Sequence, residues 1–117
     1  MDSILTSIKK LLGIEEEYTH FDADIIMHIN SVFSDLTQIG VGPAEGFSIS
    51  DSSTTWREYT EDNPTIANVK QYIYLKVRLV FDPPTNSSVL AAMERTMDKL
   101  EWRLNVAAES TTEESEV

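Results

Sequence analysis

The 117-residue chain contains no cysteine, which excludes disulfide bonds, thiolate metal ligands and a cysteine nucleophile. It has only nine basic residues against twenty acidic ones, and its formal net charge is −11. A general nucleic-acid binder and a protein that docks on anionic lipid both need a basic surface, so the composition argues against both classes. Apolar residues never continue for more than a few positions, which argues against a membrane-spanning helix.

The sequence also has few glycines and prolines, four of each, so we expect them to mark the ends of elements and the turns. The first three residues are not a basic segment leading into an apolar stretch, so we expect no signal peptide and a cytoplasmic setting. Hydrophobic residues make up 41% of the chain. A chain of this length and composition is sufficient for one domain with a substantial core.

The negative charge is concentrated in the middle of the chain. Residues 15–62 contain eleven acidic residues and one basic residue, whereas residues 63–108 contain six basic and four acidic ones. The segment 109–117 adds four more carboxylates. Either different faces of the protein meet different surroundings, or the acidic segments only keep the protein soluble, and the sequence leaves both interpretations open.

Hydrophobic periodicity predicts four helices, of which two lie in the first half. The first covers residues 3–12 and stops at Gly13. The second starts at Asp22 or Asp24, whose carboxylates can cap free backbone amides, and it ends at Gly40. Its polar residues, Asn30 among them, are expected to point away from the core. Its apolar face consists of Ile25, Ile29, Val32, Phe33 and Leu36.

The third predicted helix runs from near Pro64 to Phe81, because the following Asp-Pro-Pro cannot continue a helix. It is apolar almost all round, which is typical of a central helix. The face expected to pack on the core consists of Ile66, Val69, Ile73, Val77, Val80 and Phe81. A buried strand over residues 72–81 is the alternative, but the apolar length favours a helix. The fourth helix starts after Asn86 or Ser87 and runs for about twenty residues. Its apolar seam has heptad-like spacing and consists of Leu90, Met93, Met97, Leu100 and Leu104.

Residues 41–62 show no helical pattern. Alternation at 47–50 and 55–59, separated by residues typical of turns, predicts a long ordered loop or a short β-hairpin. From Glu109 the chain consists mostly of Ser, Thr and Glu, a composition typical of disorder. The sequence therefore predicts a mainly α protein, a small four-helix bundle over residues 1–108 with an acidic C-terminal tail over 109–117.

The sequence shows little that would support catalysis. His20, Asp22, Asp24 and His28 are close enough in sequence to ligate a metal, but both aspartates are equally explained as N-terminal helix residues. The sequence has neither a nucleophile elbow nor a phosphate-binding loop. We therefore predict a protein that is not an enzyme and binds no cofactor or metal.

The last predicted helix carries a distinctive polar surface. Three basic residues recur at every fourth position, almost opposite the apolar seam, and these are Arg95, Lys99 and Arg103. Three acidic residues form a second stripe beside them, and these are Glu94, Asp98 and Glu101. The two stripes could bind head to tail between subunits of a ring, or they could form ion pairs within the helix. Trp102 and Val106 lie beside the stripes, and Trp102 either anchors an interface or packs on the aliphatic stems of its neighbours.

The second half of the sequence resembles a known family. Residues 72–84, Tyr-Ile-Tyr-Leu-Lys-Val-Arg-Leu-Val-Phe-Asp-Pro-Pro, lead through Asn86 and Ser87 to residues 101–105, Glu-Trp-Arg-Leu-Asn. This pattern is similar to the head–tail connector proteins of long-tailed bacteriophages, which are also called adaptor or head-completion proteins. The similarity in motif covers residues 66–105, and the similarity in layout covers the whole chain.

The resemblance implies a small helical bundle, about twelve copies of which form a ring below the portal protein. It implies that a stopper or tail-completion protein binds the other side, that DNA passes through without specific binding, and that no membrane is involved. The protein would be assembled in the host cytoplasm and would lie in the virion at the head–tail interface. On this chain, portal contacts are expected from the last helix and the tail, at Trp102, Arg103, Asn105, Val106, Glu109 and Val117.

The same resemblance assigns contacts between ring subunits to Arg78, Arg95 and Lys99. Trp56 and Tyr59 are further candidates, although closure of the core explains these two equally well. Three acidic residues of the region 41–62 are candidates to line the channel, Glu45, Asp51 and Glu58. An acidic lumen would repel phosphates and keep DNA binding weak.

A second class of function stays open, an acidic DNA mimic or inhibitor that binds a basic partner surface. A mimic should spread its acidity over helical faces, whereas the helical segment 63–108 has more basic than acidic residues. The charge distribution therefore favours the connector.

Overall fold

The computed structural model of the chain describes residues 3–43, 45–59 and 66–116, with the side chains of the last helix described as far as Ala108. Within these ranges there are five helices: α1 Ile4–Leu11, α2 Asp22–Gln38, α3 Trp56–Tyr59, α4 Ile66–Phe81 and α5 Ser87–Glu116. The described residues contain no strand, and a single antiparallel bridge joins Ser3 to Thr55. The prediction of a mainly α protein is confirmed.

The two N-terminal helices end where the sequence predicts. The Ser3 hydroxyl caps α1 by accepting a hydrogen bond from the backbone amide of Thr6 at 3.2 Å. After α1, Gly13 takes up a φ of 81°, a conformation that favours glycine. The predicted cap of α2 is wrong in position, because Phe21 precedes the helix without a side-chain cap and both Asp22 and Asp24 lie in its first turn. Carboxylates in a first turn still interact favourably with the helix dipole.

Helix α4 is central, as its apolar composition predicts. It packs against α1, α2 and α5, and it buries Val69, Tyr72, Ile73, Leu75 and Val77. Val80 was predicted to face the core and instead is 65% exposed. It lies in the last turn of α4, where no described element covers it, whereas the neighbouring Phe81 packs on Phe21 with 5.2 Å between ring centroids.

Helix α5 begins as predicted and extends further than predicted. The Asn86 side chain caps it by accepting hydrogen bonds from the backbone amides of Ser88 at 2.8 Å and Val89 at 3.2 Å. Leu100 and Leu104 of the predicted seam are buried against the core. The backbone of residues 109–116 continues the helix to a total of 30 residues, although the composition of this segment is typical of disorder.

Between α2 and α4, the described residues 39–43 and 45–55 form a loop and Trp56–Tyr59 form one helical turn, so the hairpin alternative and the strand over 55–59 are wrong. The reason is a capping box at α3. The Thr55 amide donates to Glu58 Oε2 at 2.7 Å, and the Glu58 amide donates back to Thr55 Oγ1 at 3.4 Å. This reciprocal pair favours a helical turn over the extended backbone that alternation suggests.

Asn30 fixes this loop to α2. Its side-chain amide donates to the Ile49 carbonyl at 2.9 Å, and its side-chain oxygen accepts from the Ile49 amide at 2.8 Å. The prediction that Asn30 points away from the core is therefore wrong. The pair of hydrogen bonds satisfies both backbone groups of Ile49, whose side chain is buried.

Trp56 and Tyr59 are both buried in the core of the chain. The ring centroid of Tyr59 lies 4.7 Å from that of Phe33 and 5.1 Å from that of Phe47, and Trp56 Nε1 donates to Ser7 Oγ at 3.1 Å. Of the two explanations that the sequence leaves open, the structure supports closure of the core, and neither side chain is available as a surface contact.

Among the described helices, none combines the length and the apolar character that crossing a membrane requires.

Candidate partner-binding surface

The outer face of α5 is the most distinctive surface of the described chain. Arg95, Lys99 and Arg103 are all exposed on it, and four-residue spacing places them on one line that rises about 12 Å from first to last. None of the three forms an ion pair with a described side chain. The alternative of ion pairs between the two stripes of α5 is therefore not realised in the structure.

Trp102 lies on the same outer face and is 67% exposed. It lines a shallow groove together with Asp98, Glu101 and Asn105. Val106, one turn further along α5, is also exposed. Both apolar side chains stay on the surface because Leu100 and Leu104 take up the face that packs on the core.

One rim of this groove is fixed to the core by a hydrogen bond. Tyr72 is buried on α4 and donates from its hydroxyl to Glu101 Oε2 at 3.1 Å. Burial is the main cause that raises the pKa of Tyr72 above its ordinary value, and the Glu101 carboxylate raises this pKa further. The hydroxyl therefore stays a donor, and Glu101 is held beside Trp102. The apolar periodicity of α4 does not reveal this pair, although a tyrosine in an apolar helix requires a polar partner.

Arg78 is bound within α4. Its Nη1 donates to the Tyr74 hydroxyl at 3.0 Å, and this hydrogen bond is the first cause that raises the pKa of Arg78. Its Nε is buried and has no hydrogen-bond partner among the described residues. Unlike Arg95 and Lys99, Arg78 is therefore only partly available as a surface cation.

The three acidic residues predicted to line a channel are all exposed in the region between α2 and α4. Asp51 accepts hydrogen bonds from the hydroxyl and, at 2.8 Å, from the amide of Ser53, and these lower the pKa of Asp51. Glu58 belongs to the capping box of α3. Glu45 remains an exposed loop carboxylate. Two of the three residues thus have a local structural role as well.

The remaining candidates lie toward the C-terminus. Arg103 and Asn105 are exposed on α5. Glu109 belongs to the backbone of α5, but its side chain lies outside the described residues, and so does the whole of Val117. The predicted portal-binding set is therefore brought together on one face of α5 as far as Val106.

Lys9 is 2% exposed and has a structural role that was not predicted from the sequence. Its ammonium group donates to the carbonyls of Glu16 at 3.0 Å and Tyr18 at 2.8 Å, and it lies 2.9 Å from Asp22 Oδ1. A buried lysine requires such partners. The position of Lys9, four residues after the apolar Leu5, is the signal that could have indicated its burial.

Lys9 thereby orders the segment between α1 and α2, residues 12–21, which we call the α1–α2 connector. Its three glutamates, Glu15, Glu16 and Glu17, are exposed. Tyr18 follows them and is 51% exposed, with its ring centroid 5.8 Å from that of Phe21. The connector thus presents carboxylates and an aromatic ring on a backbone that is held in place.

The described residues contain no group of three or more His, Cys, Asp or Glu side chains that could hold a metal ion. The His20 ring instead packs edge-on against Phe21, with 4.8 Å between centroids.

Comparison with known families identifies the chain. Residues 4–111 match the model of a family described as phage connector protein. The chain belongs to this family. The match extends from the start of α1 into the last part of α5, so it covers α1 to α4 and most of α5. No match was found among curated proteins, and none was found among solved structures.

Membership of a phage connector family establishes a head–tail connector role and a location in the virion. A connector acts through its surfaces. In this connector the outer face of α5 is the described surface that combines exposed aromatic, aliphatic and unpaired charged groups, the composition typical of interface anchors.

Proposed function

We propose that this connector protein forms an oligomeric ring under the portal of the phage head, extends the DNA channel and joins the head to the stopper or tail. The observation that carries the proposal is the family match over residues 4–111. The exposed face of α5 is consistent with a protein that acts by binding.

The portal is the partner that we assign to the distal part of the α5 outer face, with Trp102, Arg103, Asn105 and Val106. An amphipathic helix that presents residues at positions i and i+4 can insert them into a groove of a partner, and Trp102 and Val106 have this spacing. Glu109 and Val117 belong to the same proposed contact. Trp102 should supply most of the binding energy, because large exposed aromatic rings become buried anchors at interfaces.

The channel would be lined by acidic residues of the region between α2 and α4. Glu45, Asp51 and Glu58 are exposed there, and the net charge of −11 keeps the chain as a whole unattractive to phosphates. Weak binding suits a channel through which DNA must slide. In this proposal DNA therefore passes without specific contacts.

The first test is to isolate the protein, with an N-terminal tag, from cells that assemble the particle and to identify its companions by mass spectrometry. The full chain is compared with a chain that lacks residues 105–117. Recovery of a portal protein only with the full chain supports docking through the C-terminal part. Recovery with both chains keeps the connector role and shows that residues 105–117 are not needed for docking. Recovery of a basic DNA-handling protein without any capsid component would instead support the DNA-mimic function.

The second test replaces the proposed anchor. Trp102→Ala should weaken binding to the purified portal protein by about 2 kcal/mol, which corresponds to roughly a 30-fold increase in Kd. Val89→Ala is the matched control, because Val89 is also an exposed apolar residue of α5 but lies near its start. Equal Kd values for the Trp102 and Val89 variants would contradict the assignment of the portal contact.

A further inference from the structure

We propose that Arg95 and Lys99, on the outer face of α5, bind the three glutamates of the α1–α2 connector of a second copy of this chain. The inference rests on the proposed function and adds to it the two surfaces through which neighbouring subunits contact each other. It follows from the way in which the fold uses some of its charges and leaves others unpaired.

The fold engages Lys9 of α1 and two basic side chains of α4, whereas the three basic side chains of α5 form no ion pair with a described side chain. Lys9 is bound to Asp22 and to two carbonyls of the connector. Lys76 pairs with Asp35 at 3.4 Å, and Arg78 donates to Tyr74. In contrast, Arg95 and Lys99 are exposed, and neither forms an ion pair with a described side chain. The chain has few basic residues, yet these two and Arg103 lie in one row on α5 without an ion pair to a described side chain.

The α1–α2 connector supplies the complementary, negatively charged surface. Glu15, Glu16 and Glu17 are consecutive and exposed, and none of them forms an ion pair with a described side chain. The buried ammonium group of Lys9 holds the connector backbone through the carbonyls of Glu16 and Tyr18. Because this backbone is already ordered, a partner that binds it has less conformational entropy to remove. The half-exposed ring of Tyr18 beside the glutamates adds apolar area to the contact.

The dimensions of the two surfaces agree. Arg95 and Lys99 are four residues apart on a helix, a rise of about 6 Å. Three consecutive residues outside a helix span at most about 7 Å between the first and the last Cα. The pair of cations can therefore meet the row of carboxylates without a change of backbone in either element. The paired charges would lie at an interface, where they mainly determine orientation and partner choice.

The occupant is a second copy because each chain carries both surfaces and does not join them within itself. A contact between two different surfaces of identical chains is heterologous, and its repetition produces a ring when the rotation closes. Copies with a net charge of −11 repel one another overall. Local pairing of opposite charges is the way in which such chains can still associate in one defined orientation.

Charge reversal with complementation tests this pairing. The first variant is Arg95→Glu/Lys99→Glu, and the second is Glu15→Lys/Glu16→Lys/Glu17→Lys. The control Arg57→Glu/Ser34→Glu/Gln71→Glu changes three exposed positions elsewhere and lowers the net charge by the same amount as the first variant. Assembly in solution is measured by sedimentation velocity over a range of protein concentrations. Assembly is also measured on DNA-filled heads that lack this connector protein. Far-UV circular dichroism verifies that each variant is folded.

We expect each of the two reversed variants alone to need at least about tenfold more protein than the wild type for assembly, a change equivalent to roughly 1.4 kcal/mol. The control should assemble like the wild type. An equimolar mixture of the two variants should recover assembly, since the acidic α5 face of the first variant then meets the basic α1–α2 connector of the second.

Three results would overturn the pairing and leave the ring standing. The first is a reversed variant that assembles like the wild type, and the second is a control that is impaired as strongly as the first variant. The third is a mixture of folded variants that does not recover assembly while the wild type assembles; in that case the ring stands and only the assigned pairing fails. A wild type that assembles neither in solution nor on heads contradicts the ring itself, and the pairing with it.

Discussion

Replacing each of the two tryptophans with alanine should change the stability of the chain by very different amounts. Trp56 is 5% exposed. Its indole Nε1 donates to Ser7 Oγ, and the ammonium group of Lys70 lies 5.3 Å from the ring centroid. Trp102 is largely exposed on the outer face of α5 and lines an open groove. The two substitutions remove the same side chain from two environments.

The expected magnitudes follow from burial. Truncating a buried tryptophan to alanine costs about 3–5 kcal/mol, because apolar area is lost and a cavity remains. For a domain of this size a change of 1 kcal/mol shifts Tm by about 4 °C, so Trp56→Ala should lower Tm by about 12–20 °C. A substitution at an exposed position changes the free energy of unfolding by less than about 0.5 kcal/mol, which is the expectation for Trp102→Ala.

Urea unfolding followed by circular dichroism measures both free energies of unfolding. If Trp56→Ala does not fold, Trp56→Phe keeps most of the ring volume, loses the hydrogen bond to Ser7 and should cost about 1–2 kcal/mol. Fluorescence gives an independent check, since the Trp102→Ala protein contains only the buried tryptophan and should emit at shorter wavelength than the Trp56 variants. A loss above about 1 kcal/mol for Trp102→Ala, or equal losses for the two alanine variants, would refute the burial argument.

Three further predictions concern the region between α2 and α4. Asn30→Ala removes both hydrogen bonds to Ile49 and should cost about 2–3 kcal/mol in urea unfolding, whereas Ser34→Ala on the exposed side of α2 should cost almost nothing. Gly42→Ala should destabilise the chain by about 1–3 kcal/mol more than Gly13→Ala. Both glycines have a positive φ, but only at Gly42 would an added Cβ lie 2.5 Å from the Tyr59 hydroxyl oxygen. Equal Tm values for the two variants would contradict this clash. Burial raises the pKa of Tyr59 from 10.0 to about 12, so the folded state keeps a proton that the unfolded chain loses, and stability should fall as the pH rises from 10 toward 12. Tyr59→Phe should show a smaller fall between pH 10 and pH 12 in thermal melts, and identical falls would show that the phenol does not contribute.

The helices of this protein follow from short-range rules that a sequence displays directly. A 3.6-residue period places Ile25, Ile29 and Leu36 on one face of α2 whatever the fold is. Asn86 caps α5, and glycine follows α1, for reasons that involve only the neighbouring backbone. The exposure of Trp102 also follows from periodicity, because it lies away from the seam that includes Leu100 and Leu104.

Contacts between residues far apart in the sequence could not be predicted in this way. The side chain of Asn30 has the same chemistry whether it faces water or Ile49, and only the path of the loop places the Ile49 backbone within its reach. Lys9 is buried because the connector folds back over α1 and supplies carbonyls and a carboxylate to its ammonium group. The hydrogen bond from Tyr72 to Glu101 likewise requires α4 and α5 to be packed in one particular register.

The sequence by itself therefore determined the helical class, the C-terminal ends of α1, α2 and α4, the start of α5 and the surface face of α5, since each depends on spacing along the chain and on the local backbone. Only the tertiary structure decided that Trp56 and Tyr59 close the core, that Val80 stays exposed and that Lys9 orders the connector. Burial of a given side chain depends on which other elements cover it. That depends in turn on long-range packing, which no local pattern specifies.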